Sequence, residues 1–160
     1  MDEQALRRQL VAQLEGGQAY SPVEEIIRSF PEALAGKTSG TIGHTAWQLL
    51  EHLRIAQWDI LHFTHDPKHV TPPWPDEHWP KTAAPPNESA WHESVETFLR
   101  ELAEVKKLAL SPATMLDAEI PHGTGQTYVR EVLLVADHNA YHLGQMMQLR
   151  RALEGGEAEG

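Results

Sequence analysis

Residues 66–87 hold seven prolines, at 67, 72, 73, 75, 80, 85 and 86, and no other feature limits the fold of this chain so strongly. Proline locks φ and lacks the N–H that a helix interior or a central strand needs. The segment is therefore an irregular crossover, and regular structure must lie on either side of it. A loop this long inside one domain is either functional or disordered. Its two tryptophans, Trp74 and Trp79, argue for order, because large aromatic rings pack over something. Two readings stand for the pair: a cap over an apolar pocket, or an anchor that ties the crossover down.

The flanking stretches read as helices. Residues 2–15 place Leu6, Leu10, Val11 and Leu14 on one stripe, and Gly16-Gly17 stops them. Ser21-Pro22-Val23-Glu24-Glu25 has the pattern of a helix start, with Ser21 as N-cap and Pro22 in the first position, and Pro31 keeps that helix short. A long helix is predicted from Gly43 to His65, ended by Pro67. Another opens at Asn87-Glu88-Ser89-Ala90 and runs to Leu110, before Ser111-Pro112. The last covers Gln126 to Leu153. No segment alternates with period two. The expected fold is all-α, a four-helix bundle in which the long crossover lets the helices on either side of it run parallel. Residues 1–153 are read as its single domain, and the Gly/Glu-rich stretch 154–160 as a disordered tail.

A chain of 160 residues buries a sizeable core within one domain. Its net charge of −10 argues against a nucleic-acid partner held through phosphates. The basic pairs Arg7-Arg8, Lys106-Lys107 and Arg150-Arg151 are isolated and read as solvated helix faces. There is no cysteine, which removes disulfides, cysteine-based zinc sites and a cysteine nucleophile. The start, Met-Asp-Glu-Gln, has the wrong charge for a signal peptide, and no apolar run is long enough to span a bilayer. A cytoplasmic location with no membrane partner is the expectation.

Chemistry points to histidine, of which there are ten. His138 and His142 lie four apart in mid-helix, one turn above each other, on a stripe with Glu131, Leu134, Val135, Gln145 and Leu149. That spacing lets both imidazoles reach one metal ion. His52 lies in another helical stretch, and if the two helices are neighbours, three nitrogen ligands converge and leave coordination positions open. The competing reading makes these histidines core residues bonded to carbonyls. A rival metal cluster is His62, His65 and His69, although Pro67 interrupts it.

Asp59 falls on the His52 side of its helix, about 10–11 Å further along the axis. It is the first candidate for a catalytic carboxylate, able to line the same cavity, orient a substrate or accept a hydrogen bond. Glu131 is the second. Glu51 and Asp137 each adjoin a candidate ligand but point about 100° away, and read as surface or inter-helix charges. His44, at a helix start, reads as locally hydrogen-bonded, and His122 as a residue able to reach a pocket mouth. Tyr141, Trp47 and Trp58 read as packing.

Gly43-His44-Thr45-Ala46-Trp47-Gln48-Leu49-Leu50-Glu51-His52-Leu53 and Asp137-His138-Asn139-Ala140-Tyr141-His142-Leu143-Gly144-Gln145 resemble the DinB-like (DinB/YfiT) superfamily, and the likeness covers nearly the whole chain. The resemblance implies an up-down-down-up four-helix bundle with a divalent metal held by His52, His138 and His142. It also implies a homodimer, and a kinship with thiol S-transferases that use bacillithiol, mycothiol or glutathione. Three neutral imidazoles leave an ion its full +2 charge, and such an ion lowers the pKa of a bound water or thiol. Zinc, nickel and iron(II) all accept imidazole. The expected function is a metal-dependent enzyme on a small-molecule substrate, either a thiol transferase with a low-molecular-weight thiol as co-substrate or hydrolase-like. The alternative is a non-catalytic homodimeric bundle with a structural or vestigial histidine site.

Overall fold

The computed structural model describes residues 2–40 and 42–156. Among them are α1 (Glu3–Glu15), α2 (Val23–Arg28), a single 3-10 turn (Glu32–Leu34), α3 (Ala46–His65), α4 (Ala90–Leu110) and α5 (Tyr128–Gly156). No strand occurs among the described residues, only isolated bridges such as Glu119 with Thr127. The architecture is all-α. No helix is long and apolar enough to cross a membrane.

Local chemistry sets the helix ends. The Asp2 carboxylate accepts from the Gln4 N–H at 3.0 Å and starts α1, and Gly16, at φ 69°, ends it. A residue with a Cβ is strained at that angle. Thr45 and Gln48 form a reciprocal capping box: the Thr45 hydroxyl accepts from the Gln48 N–H at 3.1 Å, and the Gln48 side chain accepts from the Thr45 N–H at 3.0 Å. That box starts α3 at Ala46 rather than at Gly43, so His44 stands outside the helix. Ser21 does not cap α2. Extended Pro22, at ψ 139°, occupies the N-cap position with no side-chain bond, and the helix begins one residue later than the Ser-Pro pattern predicts. Thr127 accepts from the Arg130 N–H at 3.3 Å ahead of α5. That helix continues past the expected end at Leu153 to Gly156, and residues 157–160 of the expected tail lie outside the described residues.

Helix α3 packs along both α4 and α5, and α1 packs along the same two. The core between them holds Leu49, Leu50 and Leu53 of α3, Phe98 of α4, and Leu143, Met146 and Leu149 of α5, all fully buried. Each such side chain contributes about 1.5–3 kcal/mol by leaving water. One polar thread crosses this core. Asn139 donates to the Gln57 side-chain oxygen at 3.2 Å, and Gln57 donates to the Phe98 carbonyl at 2.8 Å, linking α5, α3 and α4. Arg7 corrects the reading of its pair as a solvated face. It is buried, and its guanidinium donates to the carbonyls of Ala109 at 2.8 Å and Thr114 at 2.6 Å. The end of α4 leaves carbonyls unpaired, and a buried guanidinium satisfies them.

The proline-rich segment between α3 and α4 is tied to the start of α3. The Thr45 hydroxyl donates to the Ala83 carbonyl at 2.6 Å, and the Trp47 indole donates to the Thr82 hydroxyl at 3.0 Å. Ala84 closes against Gly36, where an added Cβ would sit 2.6 Å from the Ala84 Cβ. Trp47 is core, as read from the sequence. Trp58 is half-buried instead and packs on the rings of His62 and His69, at 5.1 Å from each.

Candidate metal centre

Helices α3 and α5 meet where His52 faces His138 and His142. His52 Nε2 and His138 Nε2 are 3.0 Å apart. One ring nitrogen from each of the three histidines lies within 4.8 Å of the other two. Two nitrogens bound tetrahedrally to one ion at 2.0–2.1 Å stand about 3.3 Å apart, so the closest pair is already near ligand spacing. His52 and His142 are buried, while His138 is half-buried.

The other nitrogens of the rings decide which atoms are free. His52 Nδ1–H donates to the carbonyl of His78 at 2.7 Å, and His142 Nδ1–H donates to the Gln145 side-chain oxygen at 2.7 Å. Both bonds leave the Nε2 lone pair free, and that of His52 faces His138 Nε2. Fixing a ligating imidazole through its second nitrogen is how proteins hold histidine on a metal. Trp79 stacks on the face of His52, with centroids 3.8 Å apart and planes 5° from parallel, and also stacks on His44 at 4.2 Å. It therefore both covers a candidate ligand and anchors the proline-rich segment.

Electrostatics keeps the three rings neutral. Burial pushes His52 down to about 4, aided by the neighbouring histidines and opposed by its bond to the His78 carbonyl. Burial, with His142, His52 and His78 nearby, pushes His138 down to about 3. His142 is lowered by burial against the effect of Gln145. Neutral imidazole is the form that binds metal. The donor set, its spacing and its protonation all fit a divalent ion.

The remaining expected residues supply none of the three converging ligand atoms. Asp59 is buried, and its carboxylate accepts from His69 Nε2–H at 2.6 Å and lies 3.6 Å from His78 Nε2. Glu131 is buried beside Arg130, at 2.6 Å. The rings of His62, His65 and His69 do gather, with centroids 5.1 and 5.9 Å from His62. However, His69 has given its Nε2 to Asp59, and among the described residues only His52, His138 and His142 bring three ligand atoms together. His122 donates to the Phe63 carbonyl at 2.6 Å, eleven residues along α3 from His52, or about 16 Å. Glu51 pairs with Arg54 at 2.7 Å and accepts from Ser94 of α4, an inter-helix charge. Tyr141 is exposed, with its ring 4.8 Å from His142, and does not pack in the core.

Two contributors escape a reading of the sequence. Gln145 had a signal, three residues after His142 on the same helix face. His78 had none, because it acts through a backbone carbonyl in a segment without periodicity.

Fold and cluster together define an all-α protein with a three-histidine site of the kind that fits a divalent metal. The chain belongs to the DinB superfamily, whose family model matches residues 17–146, a span that includes all three histidines. No curated protein and no solved structure gives a significant match.

Proposed function

We propose that this protein is a divalent-metal-dependent enzyme that transfers a low-molecular-weight thiol to, or hydrolyses, a small electrophilic substrate at His52, His138 and His142. One observation carries the reading. Two of the three imidazoles have Nδ1–H committed to a fixed acceptor, which leaves Nε2 available beside the third ring. When bound, the ion supplies Lewis acidity and lowers the pKa of a water or thiol. Zinc, nickel and iron(II) all suit the donor set.

The chain's own residues do the rest. His78 and Gln145 hold two ligands in register, and Trp79 shields His52 from water. Trp74 is largely exposed with its ring 6.1 Å from His52, and offers an apolar wall for a substrate. In the same reading the helices form an up-down-down-up bundle spanned by the 66–89 crossover, and two copies form a homodimer.

Metal-loaded protein is to be assayed for thiol transfer to an activated arene and for ester hydrolysis. Wild type is expected to turn over in one of them, and His142→Ala to lose that activity while keeping its helical circular dichroism. The competing reading, a structural or vestigial site, draws on the 3.0 Å His52–His138 separation, which also suits a plain N–H···N bond. Tight metal binding without turnover in either assay favours it.

A further inference from the structure

Asp59 gathers the two ends of one loop. His69, at the loop's start, donates to one carboxylate oxygen at 2.6 Å, and His78, at its end, sets Nε2 3.6 Å from the other. These side chains are buried, with 6% of each histidine and 13% of Asp59 exposed. The residues between them, 70–77, are exposed apart from half-buried Pro72. Apolar burial therefore does little to hold this stretch, and the Asp59 carboxylate meets it at both ends. The Nδ1 of His78 is buried without a hydrogen-bond partner, while its Nε2 faces the Asp59 carboxylate.

This junction sits directly against the candidate metal centre. The residue pinned through its ring, His78, is the same residue whose carbonyl accepts from His52 Nδ1–H at 2.7 Å. The next residue, Trp79, lies flat on His52. We propose that Asp59 is the positioning residue of His52: it clamps His69 and His78 to α3, and thereby sets the carbonyl that fixes the His52 tautomer with Nε2 free. The proposal deepens the metal reading and rests on it for its functional meaning. It gives Asp59 a role without proton transfer, because one carboxylate oxygen is bonded to His69 and the other faces His78.

The test reads His52 itself. Two-bond ¹H–¹⁵N correlation spectra of metal-free wild type and Asp59→Asn, at neutral pH, report which ring nitrogen carries the proton. Competition with a chromophoric chelator then gives zinc affinity. Wild type is expected to show His52 protonated at Nδ1 only. Asp59→Asn is expected to show a mixture of tautomers and a zinc affinity lower by about 10–100-fold, the usual effect of losing support behind a ligand. A variant that is merely less stable, with the tautomer and affinity of wild type, overturns the proposal. If Asp59→Asn does not fold, His78→Ala removes the clamped ring while keeping the backbone carbonyl, and the same two changes are expected. Wild type with the Nδ1–H tautomer but no zinc binding would end the metal reading alone. The tautomer shift in Asp59→Asn would then still support Asp59 as the residue that positions His52.

Discussion

At the residue scale, metal binding depends on three imidazoles being neutral and aimed. Gln145 aims His142, so Gln145→Ala is expected to lower zinc affinity by about 10–100-fold, measured by chelator competition, with little change in thermal midpoint. Neutrality has a pH signature. His52 is held at about 4 and His138 at about 3 in the fold, against 6.5 ordinarily. Between those values and 6.5 the unfolded chain binds more protons than the folded one. Stability of the metal-free protein is therefore complete above pH 6.5 and is lost as pH falls towards 4 and then 3. Urea midpoints from pH 4 to 8 are expected to climb and then level off, and a midpoint falling with rising pH across that range would contradict buried neutral histidines. The His138/His142 pair was legible because helical spacing is a local property. The hold on His52 was not, because it passes through a carbonyl whose position depends on the path of a proline-rich segment.

At the scale of elements, Thr45 has two tasks. Its hydroxyl caps α3 and also donates to Ala83, so one side chain both starts the helix that carries His52 and ties down the proline-rich segment. Thr45→Ala is expected to cost about 0.5–2 kcal/mol in urea denaturation, while Thr45→Ser keeps most of the stability. Equal stability of Thr45→Ala and wild type would remove the cap from the account. The helices themselves were legible in the sequence, since proline and glycine punctuate them. Their first residues were less so. The helix was read from Gly43, although the Thr45-x-x-Gln48 pattern already marked its true start. Ser21-Pro22 imitated a cap that extended Pro22 displaces.

At the scale of the molecule, the site exists because α3 and α5 are neighbours, and a metal would bridge them. An ion that binds only the folded state at a free concentration of 100 times its Kd adds about 2.7 kcal/mol. The thermal midpoint is accordingly expected to rise with added zinc in wild type and to stay fixed in His138→Ala. Helical content could be read from the sequence, but the pairing of α3 with α5 could not. It came only from a family resemblance, because no local pattern says which apolar stripes meet. Arg7 shows the same limit. Its pattern is that of a surface residue, and only the approach of the α4 end buries it.

Elemental analysis of tag-free protein after reconstitution, wild type beside His138→Ala with circular dichroism confirming both folds, decides whether the three histidines hold a metal. About one equivalent of divalent metal per chain is expected in wild type and none in the variant, if the three histidines hold it. A folded wild type that retains no metal, or a variant that retains as much as wild type, would contradict a three-histidine site.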